Sequence, residues 1–378
     1  MENISSKQTL KLHGLDHLRV IAILLVCGFH YQLQFSHPNW TVWFMKIGWT
    51  GVDLFFVLSG FLISSQLFAQ IKKGNGFSLK IFFIRRFFRI VPLYFFIVAV
   101  YFLFPYFRER ETLPPLWKFL TFTQNFGLDF KHFGTFAPAW SLCVEEHFYL
   151  LLPLILIFLQ GSKLFAKSYW FLICLFLFGI LFRNYLWDIY YNSNRVINTS
   201  LSYWAEHFYY PTYNRLDGLL VGVALASLYQ FLPNIWDKIL KFGDLLIILS
   251  ITLLIVIFFL FADLGTYRTS IFGFPLISIA YGLLVAGAIS PSSFLYKLES
   301  RTSTLIATLS YAIYLSHKGV IHIVQELLKT SAIDKDSNLM FVICIGVTFL
   351  VALVLNQTIG KPFMNLRAKI IEKNISND

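Results

Sequence analysis

The chain has 378 residues, of which 57% are hydrophobic and 13% charged, with a mean hydropathy of +0.65. A water-soluble domain of this length would struggle to keep that composition in solution, so a soluble globular fold is excluded and the bilayer becomes the solvent. The net charge of +11 is read accordingly: in a membrane chain the cations report which loops face the cytoplasm, and they do not point to nucleic acid.

Apolar runs long enough to cross a hydrocarbon core, about 20 helical residues each, recur along nearly the whole sequence. They lack the alternation of barrel strands, so an all-α polytopic fold is expected, because lipid offers no partner for an unpaired backbone group. The expected spans are 15–35, 48–69, 88–106, 138–159, 168–187, 212–231, 242–262, 270–289, 303–328 and 339–359, about ten transmembrane helices in all. The first run lacks a small-residue cleavage pattern and reads as a retained span. The organisation is that of a single membrane domain with its spanning core at 15–359 and a basic tail at 360–378.

An even number of spans puts both termini on one side. With that side inside, the inner loops hold Lys7, Lys11, Lys72, Lys73, Lys80, Arg85, Arg86, Arg89, Lys163, Lys167 and a further set towards the C-terminus. The smaller outside set includes Arg108, Arg110, Arg183, Arg195 and Lys335. The excess favours cytoplasmic termini. Two long outside connections, 107–137 and 188–211, are rich in aromatics such as Trp117, Phe119, Phe122, Tyr203, Trp204, Tyr209 and Tyr210. They are expected to re-enter the membrane or to lie on its interface, as an aromatic belt at headgroup depth or as a surface on which a sugar stacks. Cys27, Cys143, Cys174 and Cys344 lie in apolar segments without paired spacing, so neither a disulfide framework nor a metal site is indicated.

Ionisable side chains inside spans cost at least a few kcal/mol each, which makes each one a functional candidate by default. In the first span, Arg19, Ile23, Val26 and His30 follow an i, i+4, i+7, i+11 stripe. Arg19 and His30 therefore share one helix face, about 16 Å apart along the axis. A neutral imidazole there suits a general base taking a proton from a hydroxyl, and a hydrogen-bonded packing residue is the plainer reading. In the segment from Gly51 to Leu62, Asp53 either orients an imidazole or caps the start of its helix, and the glycines permit close helix approach. The run from Phe82 to Tyr94 carries Arg85, Arg86 and Arg89, planar donor forks suited to phosphate, although positive-inside anchoring gives the same pattern. At the start of the fourth span, Trp140 and Ser141 precede the adjacent Glu145 and Glu146; one carboxylate is expected to meet a cation, with Arg215 or His30 as candidates.

Taken together and in order, these segments resemble the acyltransferase family 3 membrane proteins. The likeness rests on Leu15-Asp16-His17-Leu18-Arg19 with His30, on Gly51 to Leu62, and on Arg85-Arg86-Phe87-Phe88-Arg89-Ile90-Val91-Pro92. It continues through Trp140-Ser141-Leu142 with Glu145-Glu146, Arg215-Leu216-Asp217-Gly218, and Ser310-Tyr311-Ala312-Ile313-Tyr314-Leu315-Ser316-His317. The resemblance implies an O-acyltransferase of the bacterial cytoplasmic membrane, with acetyl-CoA or another acyl-CoA as donor and no metal. The acceptor it implies is a hydroxyl of an extracytoplasmic saccharide, and the other partner is membrane lipid. His30 would be the base or transient acyl carrier, with Asp53 and Glu145 as catalytic companions. Arg19, Arg85, Arg86 and Arg89 would serve the donor, while Glu146, Trp140, Ser141, Arg215, Asp217 and His317 would support the acceptor side. Ser316, His147 and Lys318 depart from the commoner family residues. With no hydrolase-like domain following the spans, transfer is expected to finish within the membrane domain or with a separate partner. A secondary transporter or flippase is the rival class, since it too keeps charged residues in its spans.

Overall fold

A computed structural model describes residues 13–74, 77–110, 112–160, 168–192, 200–261 and 263–375, and among them no strand occurs. The main helices are α1 (His13–Gln34), α2 (Gly51–Lys72), α3 (Leu79–Leu103), α4 (Trp140–Gln160), α5 (Ser168–Trp187) and α6 (Asp217–Phe231). They continue as α7 (Gly243–Phe261), α8 (Phe274–Ala288), α9 (Arg301–Leu327), α10 (Asn338–Leu355) and α11 (Lys361–Ile375). Each expected span falls on one of α1 to α10. Lys7, Lys11, Lys163, Lys167 and Arg195 lie outside the described residues.

Eight of the described helical stretches are long and apolar enough to cross a membrane, and the protein is a polytopic all-α membrane protein. The two expected spans that fall short do so for different reasons. Helix α6 has 15 residues, because its chain enters through a 3-10 turn at Thr212–Asn214 and becomes α-helical only at Asp217. Helix α9 has 27 residues but buries Ser310, Ser316, His317, Lys318 and Gln325, so it is long and polar. A polar helix is tolerated inside a bundle where its groups find partners, which is the case for α9.

Lipid gives helices no hydrophobic reason to associate, so close packing must come from small residues. Helices α2 and α6 show this: a Cβ at Gly60 would overlap the Leu219 carbonyl oxygen, and one at Gly222 would overlap that of Val57. Around this pair stand α1, α4 and α8, while α9 packs on α1, α3 and α10. The outer faces of α5, α7 and α10 expose Phe178, Leu181, Phe259 and Val342, as lipid-facing helices should. Helix α11 lies along α3, with Phe363 beside Phe88.

The described parts of both long aromatic connections fold back into the bundle, the re-entrant course of the two expected. Phe119 and Phe136 are buried, and Phe136 stacks on both Tyr101 and Phe119; Trp204, Phe208, Tyr209 and Tyr210 are likewise buried. Trp117 is exposed and retains the character of a belt residue.

Candidate active site

Helices α1, α2, α3, α4, α9 and α11 surround a cavity of about 570 Å³, within the usual range for small-molecule sites. Arg19, Arg86 and Arg89 line it, while Ser141 and Tyr314 line it from α4 and α9. Arg19 reaches it from the first span, paired with Asp16 one turn earlier at 3.2 Å. Arg86 is buried, donates to Gln66 Oε1 at 3.3 Å and lies over the Tyr149 ring at 5.6 Å. Arg85 is exposed and does not line the cavity, so the arginine run splits between two faces. Glu145 lies on the cavity wall and accepts from Tyr149 Oη at 2.7 Å, an i, i+4 bond along α4. Among the described residues, Arg86 Nε and Glu146 Oε1 have no hydrogen-bond partner.

Tyr314 is fixed where the cavity meets α4 and α9. Its hydroxyl donates to the Pro138 carbonyl at 2.6 Å, since a carbonyl can only accept, and Ser141 Oγ donates to it at 2.6 Å. One turn further along α9, buried His317 presents Nε2 to His30 Nδ1 at 3.1 Å. The first-span stripe thus has Arg19 on the cavity and His30 against His317.

The acidic residues find partners other than those expected. Arg215 pairs with Asp53, Nη2 to Oδ1 at 2.7 Å, and not with Glu145 or Glu146. It also lies over the Phe274 and Tyr209 rings at 4.0 and 4.5 Å, a desolvated seat that suits a guanidinium. Asp53 lies in the first turn of α2, whose N-cap is Thr50, and its counter-charges are Arg215 and the positive end of the helix. Asp217, opening α6, receives both Arg183 Nη groups at 2.7 and 3.0 Å. Arg183, expected among the outside cations, is only 1% exposed and belongs to this core pair. His30 has His317 as its imidazole partner.

On the other side of His317, Lys318 reaches Glu109 of the first long connection at 2.7 Å. Burial pushes the Glu109 carboxyl up, but the Lys318 ammonium outweighs it and holds the group below the ordinary carboxylate range. The same Glu109 accepts from the Phe136 N–H at 2.9 Å, where Phe136 has a φ of 55°, a left-handed conformation that costs a bulky residue of order 1–3 kcal/mol. Glu109 therefore ties the outer connection to the helix turn that carries His317.

A family model described as an acyltransferase domain matches residues 12–357. The chain belongs to acyltransferase family 3. It is 30% identical over 363 residues to the peptidoglycan O-acetyltransferase OatA of Listeria monocytogenes, covering 90% of this chain and 53% of that protein. It is 28% identical over 329 residues to the O-acetyltransferase OatA of Staphylococcus aureus, covering 82% of this chain and 50% of that one. The chain thus spans about half the length of the relatives it matches. No solved structure matches it.

In this family 3 acyltransferase, several residues of the site escape a reading of the sequence. Tyr149 was open to detection, being four residues from Glu145 on the same helix. Glu109 carries no such signal: it is an acidic residue between two arginines in a loop, and its partner Lys318 lies 209 positions away (318 minus 109). Among the described residues, no three His, Cys, Asp or Glu side chains come together so as to hold a metal ion.

Proposed function

We propose that the chain transfers an acyl group, acetyl in the simplest case, from acyl-CoA to a hydroxyl of a saccharide, with donor and acceptor arriving from opposite faces of a bacterial cytoplasmic membrane. The observation that carries the reading is one continuous sequence of groups. It runs from a cavity walled by Arg19, Arg86 and Arg89, past Ser141 and Tyr314, to the His317–His30 pair one helical turn on. Coenzyme A has the complementary shape, a polyanionic end followed by a thin arm of roughly 15–20 Å, and the Arg19 to His30 rise is about 16 Å. The arginine end faces the cytoplasm, together with both termini and the tail from 360, in keeping with the excess of inner cations. The saccharide acceptor fits the activity named for the Listeria relative, a peptidoglycan O-acetyltransferase.

In the step itself, the acceptor oxygen attacks the thioester carbonyl carbon as its proton passes to His30. The C–S bond then breaks, and the departing CoA thiolate takes that proton, leaving ester, free thiol and a neutral imidazole. Glu145, with Tyr149, serves the donor end of the route. Asp53, Trp140, Arg215 and Asp217 hold the surrounding helices in register.

The donor half of the reading is tested with dephospho-CoA. Replacing Arg86 and Arg89 together by Gln removes charge-assisted contacts worth about 1.5–3 kcal/mol each, so KM for acetyl-CoA should rise tenfold or more. KM for acetyl-dephospho-CoA should change far less, and Arg85→Gln, on the helix face away from the cavity, should leave both unchanged. If the double variant still distinguishes the two donors as wild type does, the arginines anchor the helix in the membrane and do not read the 3′-phosphate.

A further inference from the structure

We infer that His317 is a positioning residue that fixes the tautomer of His30, leaving His30 Nε2 as the basic nitrogen. This inference rests on the function proposed above and assigns His317 a defined part in it. The reasoning starts from the backbone. His317 Nδ1 lies 2.8 Å from the Tyr314 carbonyl oxygen and 3.2 Å from that of Ile313. Carbonyl oxygens only accept, so Nδ1 carries the hydrogen, and a neutral His317 then has its lone pair on Nε2. That lone pair faces His30 Nδ1 at 3.1 Å, so His30 must donate there. A neutral His30 that has its hydrogen on Nδ1 has its lone pair on Nε2. Two carbonyls of α9 thus act, across two rings, on which nitrogen of His30 can take a proton, alongside the Val26 carbonyl of α1 that also accepts from the His30 ring.

The geometry also separates the roles of the two rings. His317 is 1% exposed, its Nδ1 is held by backbone and its Nε2 by His30, so it has no nitrogen left for a substrate. His30 is half-buried. When His30 Nε2 takes the hydroxyl proton, the ring becomes a cation and its Nδ1–H bond to His317 becomes charge-assisted, hence stronger than in the ground state. An interaction that strengthens as the reaction proceeds raises kcat and leaves donor binding alone. The neighbouring Lys318 ammonium would oppose this developing charge, and its pairing with Glu109 at 2.7 Å offsets that opposition. Tyr314, one turn before His317, is itself held by Ser141 and Pro138, which keeps the accepting carbonyl in place.

The test uses the full chain in nanodiscs, with acetyl-CoA as donor, chitotriose as acceptor and free CoA thiol as readout. His317→Gln keeps an acceptor oxygen near the position of Nε2, whereas His317→Asn is one methylene shorter and cannot reach His30. Asn should lower kcat about 100-fold or more, the scale of positioned acid–base groups, with KM for acetyl-CoA within about twofold of wild type. Gln should recover at least tenfold of that loss at an equal melting temperature. Equal kcat for the two folded variants would overturn the inference. A second readout needs no variant of His317: nitrogen-15 spectra of histidine-labelled wild type, with His30 assigned by difference from His30→Gln, should show hydrogen on Nδ1. Hydrogen on Nε2 would overturn the inference equally. Wild type that releases no thiol from acetyl-CoA would instead refute the proposed function, and a wild-type rate in His317→Asn would refute only the role of His317.

Discussion

Replacing His30 by Ala should abolish acyl transfer while the protein still reaches the membrane and melts within a few degrees of wild type. The ring occupies a half-buried position in α1, so its removal leaves little empty core. It does strip His317 Nε2 of its donor, an orphaned acceptor that costs about 1–3 kcal/mol if kept dry and less where water can enter. The chemical loss is of another order. Without a proton acceptor the attacking hydroxyl must ionise unaided, and positioned acid–base groups contribute about 10²–10⁴-fold in rate. Acetyl-CoA should still bind, because Arg19, Arg86 and Arg89 are untouched. Thiol release measured against donor concentration checks both statements, and turnover like wild type would remove His30 from the chemistry.

The second large effect is on stability. Arg215→Met should destabilise the bundle by about 3–5 kcal/mol, because it strands the Asp53 carboxylate with no counter-charge inside the membrane domain. Asp53 and Arg215 are 2% and 1% exposed, so solvent does not rescue the lone charge. Replacing both, Asp53→Asn with Arg215→Met, should recover much of the loss, since a matched neutral pair carries no desolvation penalty of that kind. Thermal unfolding in detergent, followed for the two single variants and the double, measures the coupling. If Asp53→Asn instead keeps the wild-type melting temperature and loses turnover, Asp53 is part of the chemistry and not of the frame.

The contrast between those two residues shows what the sequence could reveal. The spans were legible because twenty apolar residues in a row have few other uses, and the Arg19–His30 stripe because 3.6 residues per turn decides which side chains share a face. Helix partners are a different matter. His30 and His317 are 287 positions apart, and nothing in the periodicity of α1 or α9 says that the two helices are neighbours. The same gap sent Arg215 to the wrong carboxylate and put Arg183 among the outside cations, when its charge is satisfied by Asp217 across α6. The aromatic connections stay open between re-entry and the interface for a related reason: a Phe at the interface and a Phe stacked on Tyr101 have the same local sequence, and only the folded-back path of the loop separates them.

The most direct test of a transfer across the membrane uses sealed proteoliposomes of known orientation. Impermeant radiolabelled acetyl-CoA is supplied on the side of the arginine cluster, and chitotriose is enclosed on the other. Wild type should place label on the enclosed acceptor, and His30→Ala should place none. Label that appears only when donor and acceptor share a side would contradict a route running from the arginines to His30 through the bundle.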